Sequence, residues 1–250
     1  MKKSIIFTGL ALAGSLAMAG EFGISLGYQH NQMDGDALYE GNVANPTKVD
    51  LQNTLGMDDS DGTFKPTLFY TSGNHIFSID YESLSYSGDK VITETIRFGD
   101  ETYNISDRIV SNMDIDWYTL GYRYALVKQD KLSLNLGLDI NLLDAKLSLD
   151  STLAQESLDE LIPLPALAFD VAYDFGPATL KANFSGITVG NKGHYIDLYG
   201  GLTFDLEDLA SIKGASFDVG YQYKKLDVDI SDLDAQMTFD GIYGGITYRF

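Results

Sequence analysis

Cysteine is absent from the 250 residues. That excludes disulfide staples and thiolate metal centres. Beyond the N-terminus no stretch holds the roughly 18 consecutive apolar residues that a helical membrane span needs. Basic side chains are scarce, with 17 Lys and Arg against 36 Asp and Glu, a formal charge of −19. A chain this acidic repels a phosphate backbone, so nucleic acid is not an expected partner. Phosphate-cradling glycine loops, nucleophile elbows and zinc-binding helix motifs are missing as well. Mean hydropathy is close to neutral at −0.07, a value that alternating strands with one apolar and one polar face produce by averaging.

What is present begins with a processing segment. Met1-Lys2-Lys3 is a basic start, Ile5 to Leu16 is apolar, and Ala17-Met18-Ala19 is a small-residue cleavage site. Residues 1–19 therefore read as a signal peptide, and residues 20–250 as one exported β domain.

The stretch Leu132 to Leu142 carries that domain's pattern most clearly. Leu132, Leu134, Leu136, Leu138, Ile140 and Leu142 alternate with Ser133, Asn135, Gly137, Asp139 and Asn141. Strict period-two alternation predicts a strand with one apolar face, and its length suits a tilted crossing of a bilayer. Nine further segments repeat the pattern: Phe22–Gln29, Lys65–Tyr70, Phe77–Glu82, Tyr118–Ala125, Leu167–Phe175, Leu180–Ser185, Ile196–Asp205, Ser216–Tyr223 and Ile242–Phe250. The alternation slips at Leu84 and Tyr86, predicting a bulge or the membrane rim. A second slip falls at Leu143, and the pattern then continues through Ala145, Leu147 and Leu149.

The connections after the second, fourth, sixth and eighth segments read as short, and most of the others as long. That asymmetry predicts an all-β fold, an up-and-down antiparallel transmembrane barrel of about ten strands with long external loops. One helical turn is expected within Ser151–Asp159, and a hairpin around Gly99-Asp100. Aromatic girdles are expected from Phe22, Tyr70, Phe77, Tyr124, Phe175, Phe204, Phe217 and Phe250 below, and Tyr28, Tyr118, Tyr195 and Tyr223 above. A soluble periplasmic β-sandwich that binds a ligand is the competing architecture.

The polar faces of these segments place Lys65, Arg123, Lys181, Lys224 and Arg249 in the lumen. With them go Asp80, Glu82, Asp139, Asp170, Asp174, Asp197, Asp205 and Asp218. Buried charges need partners, so a salt-bridged plug is expected, with a narrow channel as the alternative.

No residue is assigned a catalytic, cofactor-binding or metal-binding role, and no cofactor is expected. His30 and His194 lie near outer strand ends, with Asp34, Asp36, Asp114, Asp116 and Asp240, whereas His75 lies at the opposite end. A rim histidine beside a carboxylate or serine is what an outer-membrane hydrolase of protein or lipid would need. Met57-Asp58-Asp59-Ser60-Asp61-Gly62 fails as an EF-hand, because its first ligand position is Met57 and its bidentate position Leu68. The acidic loops leave divalent cations as a loose partner. Asn104-Ile105-Ser106 and Asn183-Phe184-Ser185 match a glycosylation sequon without a context that uses it.

The terminal Ile242-x-Gly244-x-Ile246-x-Tyr248-x-Phe250 resembles the insertion signal of Gram-negative outer-membrane barrels. Val49-Asp50-Leu51 and Leu55-Gly56 resemble a family of small proteobacterial outer-membrane barrels without assigned function. These resemblances imply an outer-membrane location in contact with lipid and lipopolysaccharide. They also imply delivery by the barrel-assembly machinery through the strand ending at Phe250. The expected role is that of a non-enzymatic, porin-like surface, structural or narrow-channel protein.

Overall fold

The computed structural model describes residues 20–188, 193–230 and 232–250. The expected signal peptide, residues 1–19, lies outside them, and so does the Gly190–Lys192 part of one expected loop.

Ten long strands form one antiparallel sheet. In chain order, β1 is Glu21–Tyr39, β3 Ser60–Ser72, β4 His75–Val91, β7 Arg108–Lys128 and β8 Leu132–Asp150. They continue with β9 Gln155–Asp174, β10 Thr179–Thr188, β11 Gly193–Asp205, β12 Ala215–Ile230 and β13 Leu233–Arg249. Short elements sit between them: β2 (Val49–Asp50), the hairpin β5 (Ile96–Phe98) and β6 (Glu101–Tyr103), and α1 (Leu206–Ala210). Each long strand pairs with its sequence neighbours, and β13 pairs with β1 from Gly23–Arg249 to Tyr39–Leu233. The sheet is thus a closed barrel, which rules out the sandwich.

Closure without an edge is what lipid demands, because hydrocarbon offers no hydrogen bond to a free backbone group. Paired residues followed once around the wall run from Phe22 through Tyr70, Phe77, Tyr122, Leu138 and Leu167. The path goes on through Gly186, Ile196, Lys225 and Thr238, and returns to β1 at Asp34, twelve residues above its start. For ten strands that stagger corresponds to a tilt of about 40°.

The strands run well past the ends that alternation indicates. β1 continues to Tyr39 and β9 starts at Gln155, where sequence reading placed loops and a helical turn. Ser151–Ala154 closes as a turn, with Ser151 N–H donating to Ala154 O at 2.8 Å. The outer connections after β8 and β12 are short. The asymmetry of the barrel therefore lies in strand length more than in loop length. The connector between β11 and β12, at the opposite end, is longer than expected and holds α1. Asp205 caps α1 by accepting from Glu207 N–H at 2.8 Å.

Neither alternation slip is a geometrical one. The β4–β7 register is unbroken from His75–Tyr124 to Val91–Arg108. The β7–β8 register shifts only at Ala125/Val127, near the opposite turn. On β8 the even positions face out and the odd positions in throughout. What inverts is the polarity of the faces. Outward, exposed Leu136, Leu138 and Ile140 give way to Asp144 and Lys146. Inward, buried Asp139 and Asn141 give way to Leu143, Leu147 and Leu149. β4 repeats this, with Phe77, Ile79 and Tyr81 followed outward by serines, and Glu82 followed inward by Leu84 and Tyr86.

The outward change from apolar to polar comes at Tyr28/His30, Tyr118/Asp116, Tyr223/Lys225 and Ile242/Asp240 on other strands. Together these transitions mark the upper rim of a lipid-facing band. Above it the barrel is built like a soluble protein, with water outside and a hydrocarbon core inside. Leu51, Leu55 and Met57 from the β1–β3 connection join that core, and so do Ile92, Ile96, Phe98 and Tyr103. The upper barrel is corked.

Tyr195 belongs to this interior and not to the upper girdle. It faces inward, fully buried, with its ring 5.4 Å from that of Trp117. The other aromatics assigned to the girdles stand on the outward face.

Candidate functional site

Below the cork lies a polar cavity of about 790 Å³. Its lining reaches Gly176 and Pro177 of the β9–β10 turn, so it opens at the end where β1 starts and β13 finishes. All thirteen charged residues expected in the lumen line it. Alternation put them there: each occupies the inward parity of its strand, and lipid outside leaves charge nowhere else to go.

Nine of the thirteen join three groups, while Asp80 accepts from Thr67 at 2.6 Å and Arg249 meets Glu21 at 3.5 Å. Arg123 Nη1 and Nη2 donate to Asp139 at 2.7 and 3.1 Å, and Nε donates to Asp170 at 3.1 Å. Asn183 Nδ2 completes Asp170 at 3.0 Å. Lys181 Nζ meets Asp218 at 3.0 Å, and the hydroxyls of Thr203 and Thr247 donate to the same carboxylate. The third group forms the cavity's roof. Glu82 Oε2 receives both Lys224 Nζ and, at 3.2 Å, Lys65 Nζ. Lys65 also donates to Gln29 at 3.1 Å and Gln222 at 2.5 Å. Gln222 in turn donates to Asp197 at 2.7 Å.

The roof is finished by groups that sequence reading did not single out. Lys224 Nζ sits 4.3 Å from the centre of the Trp117 ring. A buried ammonium over an indole face is stabilised by the ring quadrupole. Trp117 Nε1 donates to Asn141 at 3.1 Å, and Asn141 also accepts from Thr119 at 2.7 Å. The signal for Trp117 was its parity, shared with Thr119 and Arg123 on β7.

The histidines do not converge on a cleft. His30 stands exposed on the outward face of β1, between Gly62 and Ile242. His194 Nδ1 lies 3.5 Å from Asp227 Oδ2, its direct cross-strand partner, also on the outward face. His75 contacts the Tyr122 hydroxyl at 2.9 Å at the opposite end. Asp116 and Asp240 accept from the hydroxyls of Tyr81 and Tyr221, Asp114 from Ser85, and Asp36 pairs with Lys48 at 2.7 Å. Among the described residues no group of three or more His, Cys, Asp or Glu is arranged to hold a metal ion.

No protein-family model matches the sequence, and no curated protein sequence matches it. Solved structures do match. The outer-membrane protease OmpT of Escherichia coli aligns with a TM-score of 0.59 at 8% identity, covering 91% of this chain and 97% of that one. The translocator domain of the autotransporter NalP from Neisseria meningitidis aligns at 0.42 and 13% identity, covering 96% and 92%. The attachment invasion locus protein Ail of Yersinia pestis aligns at 0.35 and 16%, covering 93% and 100%. At these identities the likeness is one of fold, and the OmpT alignment carries it. With the closed barrel and its apolar band, it defines the class: a Gram-negative outer-membrane β-barrel protein, located in the outer membrane.

Proposed function

We propose that this chain is a plugged, non-enzymatic surface protein of the outer membrane. Its upper barrel is an acidic, rigid platform held above the lipid, and its lumen does not conduct. The observation that supports this reading most is the roof of the cavity. Glu82, Lys65, Lys224 and Trp117 form a mutually bonded layer, with the cork packed directly above it. Lipid and lipopolysaccharide surround the apolar band. Divalent cations are loose partners of the acidic exterior, and the barrel-assembly machinery takes up the strand ending at Phe250.

Conductance across a planar bilayer is the test. The refolded chain adds no steps to the baseline, and Glu82→Ala combined with Trp117→Ala, which leaves the cork in place, adds none either. Regular steps from the unaltered chain would replace this reading with the narrow channel.

The His194–Asp227 contact favours a second reading, a hydrolase acting at the rim. It predicts turnover of a peptide or lipid ester that His194→Ala abolishes. Among the described residues no cleft lies beside this pair on the outer wall to hold a substrate.

A further inference from the structure

The wall is not equally closed everywhere. The β1–β3 ladder runs from Glu21–Thr71 to Gln32–Ser60, and the β4–β7 ladder spans the whole of β4. Between them, the β3–β4 ladder runs only from Ser72–His75 to Thr67–Asp80. The next residue on β3 is Pro66, which has no N–H to give. Above it, β3 and β4 are linked by side chains. The Thr63 hydroxyl donates to Ser83 O at 2.6 Å, and Ser85 N–H donates to the Asp61 carboxylate at 2.9 Å. Backbone contact resumes at the Met57–Gly88 bridge.

This seam starts inside the lipid-facing band. Pro66 pairs with Leu26 and Phe64 with Tyr28, both below the rim of β1. In hydrocarbon an open stretch of ladder is expensive, so its presence at this depth calls for an occupant. Aromatic pairs stand on either side on the outer wall: Tyr28–Phe64 at 5.3 Å and Tyr81–Tyr118 at 5.0 Å between ring centres. Immediately behind the seam, Lys65 of β3 and Glu82 of β4 join across it. There two ammonium groups converge on one carboxylate oxygen, Glu82 Oε2. The nearby Asp197 carboxylate is taken by the Gln222 amide and the Tyr195 hydroxyl. Above, the Tyr86 hydroxyl is buried without a partner.

We propose that the β3–β4 seam is a lateral port for a long-chain carboxylate from the outer leaflet. Its hydrocarbon chain rests between the two aromatic pairs. Its carboxylate passes inward and takes the place of Glu82 between Lys65 and Lys224, a position already shaped for one carboxylate. The cork above closes the axial route, so entry is from the side.

Trp117 is the single tryptophan of the chain and the cross-strand neighbour of Glu82. Its fluorescence therefore reports on arrival. The probe is 2-bromohexadecanoic acid, whose bromine lies beside the carboxylate, added to the full chain in phospholipid vesicles. Saturable quenching is expected. The cysteine-free background allows Thr63→Cys with Leu84→Cys to close the seam by oxidation. Quenching is expected to vanish when that pair is oxidised and to return on reduction, with the heat-shifted gel mobility of the folded barrel unchanged. Pro66→Val, which restores an N–H, reduces quenching without a disulfide. Lys224→Met raises the half-quenching concentration roughly tenfold, the worth of one charged hydrogen bond. No quenching, or equal quenching with the seam open and locked, overturns the port.

Discussion

Arg123 on β7 and Asp139 on β8 form a fork-on-fork ion pair inside the barrel, with N–O distances of 2.7 and 3.1 Å. Asp139 is the one charged residue within Leu132–Leu142, the most regular apolar stretch of the chain. Its partner comes from the next strand at nearly the same depth. A planar guanidinium suits this task better than an ammonium, because two parallel bonds fix its geometry while a third N–H reaches Asp170.

Breaking that pair from one side leaves buried carboxylates without a counter-charge. Arg123→Met is expected to cost about 3–5 kcal/mol in urea unfolding from vesicles. Adding Asp139→Leu recovers part of the loss. If the double variant is as unstable as the single one, the pair is not the unit of stabilisation.

The two halves of β8 respond oppositely to charge. Leu138→Lys, in the lipid-facing band, is expected to cost about 2–4 kcal/mol. Ser148→Lys, on the same face above the rim, is near neutral. Leu149→Ala, inward in the corked core, costs about 2–5 kcal/mol. Equal tolerance at Leu138 and Ser148 would place the rim elsewhere.

Asp50 gives the outer loop a pH dependence. Burial raises its pKa, but hydrogen bonds from the side chain and backbone of Asn53 and from Gln52 N–H more than offset this, leaving it below the ordinary carboxylate value. A lowered folded pKa means the stabilisation is complete above the unfolded value and fades as pH falls through the folded one. Melting of Asp50→Asn should therefore converge with that of the unaltered chain in strong acid and lie below it at neutral pH. A constant gap across the range would remove Asp50 as the source.

Phe250 separates assembly from stability. The residue is 76% exposed and its ring touches that of Tyr248, while its backbone N–H closes on Phe22 O at 2.8 Å. Phe250→Ala keeps that backbone bond, so unfolding midpoints are expected to move little. Insertion by reconstituted assembly machinery is expected to slow. A variant that is destabilised but inserts at the normal rate would assign Phe250 a packing role instead.

Much of this molecule is local. Alternation determines which residues face lipid and which face the lumen, because a one-residue shift would expose every charge to hydrocarbon. For that reason the ten strands and the thirteen lumen charges were readable along the chain, and so was a partner for Asp139. The identity of that partner was not, since it depends on register between strands.

Tyr195 shows the limit. Its parity put it inside, yet a girdle position also fits a tyrosine near a strand's outer end. Only the neighbouring Trp117 ring decides between them. The polarity inversion at Leu143 escaped for a related reason: a strand leaving the membrane exchanges its solvents, and one-dimensional alternation then looks like a slip in phase. Pro66 could be read from the sequence as a missing donor. That its absence falls where β3 and β4 part, in front of Lys65 and Glu82, was decided by the closed barrel alone.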